Sequence, residues 1–298
     1  MKIRLSAVND IGRERENNED AYIVCPDMNR QEWLQATPPT YIPLGPLGAV
    51  AVVADGMGGA NAGEVASSLA TTAIQETLTA ERVSQCVASD DIPLLLRKCV
   101  SDADKAIKLR MMDDPSTTGM GTTVVICWIT ADTAHVAWCG DSRCYLYNPS
   151  NGLRQLTKDH SYVQQLVDRG EITEQEALTH PDSNLITRGL GDFDAMSVPD
   201  VVSQPIGAGD LLMLCSDGLS GYCSDSDIEQ VLQANYHDVA ACCDQLFSLA
   251  MQAGGHDNIC IVMASLIDDQ QEIPILQSKA KFSLRNLFRL PTSHTGQG

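Results

Sequence analysis

Two apolar patterns take turns along the chain. Short unbroken runs such as AVAVVA at 49–54 and DLLMLC at 210–215 read as fully buried strands. Residues 2–8 predict a first strand, AYIVC from Ala21 a second, and NICIVMASLI at 258–267 the last. TTVVICWIT, TAHVAWC and RCYLYN read as three successive antiparallel strands joined by short polar connections. Longer stretches carry helical spacing. One helix is predicted from about Asn61 to Ala80, with Val65, Leu69 and Ala73 on its inner face. A second is predicted from Asp91 to Met112, with Pro93 in its first turn, where a missing N–H costs nothing. SYVQQLVDRG and TEQEALTH are short helical candidates within a polar stretch, 157–191. SDSDIEQVLQA opens on a Ser or Asp cap, and HDVAACCDQLFSLAMQA spaces apolar residues at 239, 242, 246, 249 and 253. Two helical pairs lying between blocks of hairpin-connected strands predict an α+β fold, antiparallel sheets covered by helices.

Composition narrows the partners. With 39 acidic against 20 basic residues the formal charge is -19, which disfavours nucleic acid and suits a protein that holds divalent cations. The 11 cysteines form no CxxC pair and lie mostly inside apolar runs, so they read as reduced core residues, neither a disulfide framework nor a zinc site. No apolar run approaches the roughly 18 residues of a membrane span, and the N-terminus lacks the apolar stretch of a signal peptide. The expectation is a soluble, cytoplasmic protein without a transmembrane segment.

The candidate chemistry lies at the ends of the strands. Asp55, Asp141 and Asp217 each stand one step beyond an apolar run, and Glu19, Asp20 and Asp257 stand just before one. Antiparallel pairing brings strand ends and strand starts to the same edge. Carboxylates gathered there repel one another unless positive charge lies between them. An all-oxygen set without His or Cys selects Mg²⁺ or Mn²⁺ over Zn²⁺. Arg15, four residues before Glu19, reaches the same edge, where a guanidinium suits capture of a phosphate. A surface ion pair with Glu16 or Glu19 is its competing role.

These residues fall in motifs that resemble the metal-dependent Ser/Thr protein phosphatase family, type 2C, of the bacterial kind. The motifs are GRERENNED at 12–20, VADGMGG at 53–59, GMGTT at 119–123, GDSR at 140–143, LTKDHS at 156–161, CSDGL at 215–219 and GGHDN at 254–258. The resemblance implies a four-layer α-β-β-α sandwich over residues 1–267, with two Mn²⁺ or Mg²⁺ ions at one end. It implies that Asp55 bridges both metals and that the Gly56 carbonyl binds one of them. Asp217 and Asp257 would complete one shell, Glu19 would hold the other ion directly or through water, and Asp141 would serve a third, weaker metal site. Arg15 would bind the substrate phosphate, and Asp20 would orient Arg15 or a metal-bound water. Asn258 would support the site through hydrogen bonds. Where many eukaryotic members carry a His, this chain has Met57, so proton donation to the leaving group falls to a metal-bound water. The implied activity is hydrolysis of phosphoserine and phosphothreonine in proteins, counteracting a Ser/Thr kinase.

The parts outside the motifs are assigned by position. The proline-rich loop 26–47 is expected at the far end from the metals, as a docking or stability element. The 157–191 segment matches the family's variable flap and is the candidate for substrate selection, with structural roles for His160 and His180. In the tail, 268–298, Lys281, Arg285 and Arg289 fall on one helical stripe and Leu284, Leu287 and Phe288 on another, a pattern for contact with a partner or a membrane surface, or for a frayed tail against the acidic body. Two other readings compete: a catalytically silent phosphoprotein-binding scaffold of the same fold, and a two-metal hydrolase of small phosphate esters. Retention of Arg15, Asp55, Asp217 and Asp257 argues against the first, and the lack of a P-loop against a nucleotide substrate.

Overall fold

The computed structural model of the chain describes residues 1–38, 40–58, 62–89, 91–191 and 197–268. Its strands are β1 (Lys2–Asp10), β2 (Asp20–Cys25), β3 (Ile42–Pro43), β4 (Ala49–Met57), β5 (Gly121–Thr122), β6 (Val124–Ile129), β7 (Thr133–Cys139), β8 (Arg143–Asn148), β9 (Gly152–Gln155), β10 (Leu190–Gly191), β11 (Asp200–Pro205), β12 (Leu211–Cys215) and β13 (Ile259–Ile267). The helices are α1 (Gly63–Thr77), α2 (Ala80–Ser89), α3 (Ile92–Asp113), α4 (Tyr162–Asp168), α5 (Glu174–Ala177), α6 (Asp217–Ser220), α7 (Asp225–Asn235) and α8 (Val239–Gln252). One antiparallel sheet runs β3-β1-β13-β12-β8-β9; the other runs β10-β5-β4-β6-β7-β11, with β2 also paired to β4.

The unbroken apolar runs are explained by burial on both faces. Along β4, Ala49, Ala51 and Val53 point into the core between the sheets, beside Val125, Leu214 and Val262. The alternate residues Val50, Val52 and Ala54 point the other way, onto α1 and α3. In the opposite sheet Met213 and Ile261 face Ile228 of α7 and Leu246 of α8. The result is the expected four-layer α-β-β-α sandwich.

Three local expectations are corrected. The predicted helix over 61–80 is α1, followed by α2 as an additional helix, and the inner face of α1 joins the expected Ala73 to Ala66, Ala70 and Ile74, with Val65 and Leu69 only partly buried. RCYLYN does not continue the hairpin series: β8 crosses to the other sheet and pairs with β12, while β6 and β7 remain partners. The β4 strand does not stop at Asp55 but continues to Met57, because Gly56 and Met57 pair with β5.

Residues 26–47 lie at the end remote from the acidic edge, as expected. Ile42 and Pro43 pair with Ile3 and Lys2 at the start of β1. Met28 is fully buried, Leu34 exchanges backbone hydrogen bonds with Val24 at 3.0 and 2.8 Å, and the Trp128 indole N–H donates to the Leu47 carbonyl at 2.9 Å. The amphipathic pattern at 279–290 lies outside the described residues. Among the described residues no helix is long and apolar enough to cross a membrane.

Candidate active site

At one end of the sandwich, chain segments distant in sequence converge. Asp20 and Asp55 stand directly opposite one another on the paired strands β2 and β4. Asp217 opens α6 two residues past β12, and Asp257 precedes β13. Asp141 lies in the corner between β7 and β8, where Gly140 takes φ +121°, a backbone conformation that L side chains rarely adopt. Arg15, Glu19, Asp55, Gly56, Asp141, Asp217 and Asp257 all line one open cleft of about 430 Å³. Asp20 is the exception. It is buried beside Asp55, where Ser216 Oγ donates to its Oδ2 at 2.7 Å, and its Oδ1 is buried without a hydrogen-bond donor.

Thr122, Thr123, Ser142, Ser67 and Gly63, which carried no predicted role, hold this arrangement together with Asn258, which was expected to. The Asp55 N–H donates to Thr123 Oγ1 at 3.1 Å, while Thr122 Oγ1 and the Thr123 N–H both donate to the Asp55 carbonyl at 2.8 Å. Thr123 Oγ1 in turn contacts Ser142 Oγ at 2.7 Å, tying the Asp55 strand to the Asp141 corner. Glu19 is fixed from three directions. Its N–H donates to Asn258 Oδ1 at 2.8 Å, and its carbonyl accepts from Ser67 Oγ at 2.6 Å and from the Gly56 N–H at 3.2 Å. Its carboxylate lies over Gly63 at the start of α1, where a Cβ would collide with it and where the helix dipole favours negative charge. Gly56 is required by the same contact, because a Cβ there would run into the Gly63 carbonyl.

Asn258 is the hub of the preceding loop. Its Nδ2 donates to the carbonyls of Ile11 at 3.0 Å and Asn17 at 2.9 Å, so one side chain shapes the loop that presents Arg15. Arg15 Nη2 bonds Asp257 Oδ2 at 2.6 Å, so its ion-pair partner is neither Glu16 nor Glu19. Half of the Arg15 side chain stays exposed (53%), leaving guanidinium donors open to the cleft.

The electrostatics are those of carboxylates forced together out of water. Burial first, then the charge of neighbouring carboxylates, pushes Asp55 well above the usual range. Burial likewise raises Asp141 well above it, with Asp217 and Asp159 adding to the shift. Burial and the charge of Asp257 raise Asp217 to about 6. Asp20 is pushed up to about 8, mainly by burial and against the lowering effect of the Ser216 hydrogen bond. The Arg15 guanidinium is held charged by its hydrogen bond to Asp257.

The flap contributes Asn184 and Ile186 to the cleft wall, and Met57 lies on the wall as well. His160 does not line the cleft but holds the corner beside Asp141. Its Nδ1 accepts the Gly140 N–H at 3.1 Å, so Nε2 carries the proton and donates to Asp200 at 3.0 Å. The ring also stacks on Trp138, and burial lowers its pKa. His180 Nδ1 accepts the Asp182 N–H at 3.1 Å and plays a local turn role.

The donor set fits hard divalent cations. It is all oxygen, it holds a buried carboxylate oxygen with no donor, and Asp55 at its centre is raised first by burial and then by neighbouring carboxylates, a cost that positive charge relieves. Among the described residues no three His, Cys, Asp or Glu side chains close on one point as a ready-made cage. Like-charged groups spread around a cleft need a cation between them to be drawn in.

Comparison with known proteins agrees with this geometry. Residues 6–259 match the family protein phosphatase 2C. The chain is 33% identical over 254 residues to the serine/threonine phosphatase Stp of Listeria welshimeri, covering 85% of this chain and 92% of that one. The crystal structure of the Mycobacterium tuberculosis serine/threonine phosphatase PstP/Ppp superposes with a TM-score of 0.74 at 34% identity, covering 90% of this chain and 100% of that one. A structure of the PstP catalytic domain in complex with two manganese ions gives 0.70 at 32% identity, over 90% of this chain and 99% of that one. The chain therefore belongs to the protein phosphatase 2C family of metal-dependent protein serine/threonine phosphatases.

Proposed function

We propose that this cleft hydrolyses phosphoserine and phosphothreonine esters in proteins, opposing a Ser/Thr kinase in the bacterial cytoplasm. The observation that carries the reading is the convergence of Asp55, Asp217, Asp257, Glu19 and Asp141 with one exposed guanidinium on a single open cleft. Asp55, the Gly56 carbonyl, Asp217, Asp257 and Glu19 are the residues that would hold two Mn²⁺ or Mg²⁺ ions, with Asp141 for a third. Bound there, the ions would neutralise phosphoryl charge and activate water near neutral pH. Arg15, positioned by Asp257, grips the non-bridging phosphate oxygens and stabilises charge on them as the ester bond breaks. Asp20, behind Asp55 and bonded to Ser216 outside the cleft lining, supports the Asp55 strand from behind. No side-chain nucleophile is required. All 11 cysteines are buried, none lines the cleft, and burial holds a thiol such as Cys215 up at about 12. No histidine lines the cleft among the described residues, so the leaving oxygen takes its proton from water. The tail at 279–290 is proposed to contact a partner or a membrane surface.

The test is hydrolysis of a phosphothreonine peptide with Mn²⁺, with EDTA, and in Asp55→Asn. Turnover that needs Mn²⁺ and falls by about 100–1000-fold or more in the variant supports the reading, the scale expected for loss of an electrostatic catalytic group. A folded, Mn²⁺-loaded protein without turnover on several phosphopeptides would favour the phosphoprotein-binding scaffold.

A further inference from the structure

Glu16 stands apart from the other acids of the cleft. It lines the cleft next to Arg15, is exposed to solvent, and has no hydrogen-bond or ion-pair partner among the described residues. Its neighbours on the loop are committed: Glu14 to His256 at 2.7 Å and Arg15 to Asp257 at 2.6 Å. The loop on either side of it is also pinned. The Arg13 N–H donates to the Gly255 carbonyl at 2.7 Å, and the Asn17 carbonyl accepts from Asn258 Nδ2 at 2.9 Å. Glu16 is thus an unspent negative charge lining the cleft, on a loop held from both sides. The flap residues on the cleft wall, Asn184 and Ile186, are neutral and provide no cation to meet it.

Glu16 lines the same cleft as Arg15, so it lies beside a substrate peptide whose phosphate is held by Arg15. We infer that Glu16 selects phosphopeptides carrying a lysine or arginine close to the phosphoresidue, and disfavours those with acidic flanks. This specificity rests on the phosphatase reading of the same cleft. The formal charge of -19 acts in the same direction at longer range, steering basic segments toward the protein.

Two phosphothreonine peptides that differ only in Arg or Gln at the three flanking positions on each side test it. The Mn²⁺-loaded wild type is expected to give a kcat/KM ratio of about three- to fivefold in favour of the Arg peptide, the scale of one exposed ion pair. The ratio is expected to fall toward one in Glu16→Gln, to invert in Glu16→Lys, and to shrink in 0.5 M salt. Non-hydrolysable phosphonate versions of both peptides, followed by fluorescence anisotropy, read the same ratio from binding alone. Equal binding of the two phosphonates by the wild type, or a preference of unchanged size in both substitutions, would overturn the role of Glu16. A Glu16-dependent binding preference without turnover would uphold it and count against the phosphatase reading instead.

Discussion

The two ends of the sandwich are built on opposite principles. At the far end, loop 26–47 closes the sheets with apolar packing and satisfied polar groups: Met28 fully buried, Leu34 bridged to Val24, the Trp128 N–H capped by Leu47. At the near end, the same strands terminate in carboxylates that lose hydration and repel one another, and one Asp20 oxygen has no donor at all. One end lowers the free energy of the fold. The other stores electrostatic cost that only a cation or a proton relieves. Stability and function are therefore separated along the strands, and substitutions at the two ends should behave differently.

The largest stability effect belongs to the far end. Met28→Ala should cost about 2–5 kcal/mol, as expected for emptying a fully buried site, while the folded variant keeps its kcat/KM. Denaturant unfolding set beside peptide turnover measures both, and a parallel loss of activity in the folded variant would break the separation. Asn258→Ala comes next and acts at the near end. It removes the bonds to Glu19, Ile11 and Asn17 without touching a carboxylate. A loss of about 10–100-fold in Mn²⁺ affinity or turnover is expected, the range for residues that orient metal ligands; an unchanged Mn²⁺ titration would show that the loop holds its shape without it.

The smallest effect is a pH trend in the EDTA-treated protein. Asp217 and Asp20 are raised in the fold to about 6 and about 8 from a reference of 3.8. Their protonated forms fit the fold, so their contribution is complete below pH 3.8 and is lost as the pH rises through about 6 and then about 8. The melting temperature should therefore fall between pH 5 and pH 8 in EDTA, and Mn²⁺ should raise it more at pH 8 than at pH 5. A metal-free protein that grows more stable over that interval would contradict the repulsion assigned to the edge.

The near end was the more legible of the two in the sequence, because a buried run that stops at an aspartate is a local signal. Asp55, Asp141 and Asp217 follow buried runs in this way, and Asp257 precedes one. What stayed hidden depends on partners far along the chain. Strand pattern shows that 143–148 is buried but not which sheet receives it; the Gly140 corner and the Thr123–Ser142 contact decide that. The apolar pattern places Ala73 of α1 in the core but misses Ala66 and Ala70, because hydrophobic weight favours Val65 and Leu69 whereas close approach to β4 favours small residues. Asp55 lies within its strand because β5 continues the pairing. The pairing of Arg15 with Asp257, 242 residues away, left no trace in the local charge pattern.

The central claim is that the near end is a two-metal centre held together by Asp55. Calorimetric titration of the metal-free protein with Mn²⁺ at pH 7 tests it most directly, in buffers of different ionisation enthalpy so that proton release is counted. The account predicts two tightly bound ions per chain, protons released from the raised carboxyl groups on binding, and loss of this binding in Asp55→Asn. No tight binding, or binding that is the same in Asp55→Asn, would contradict it.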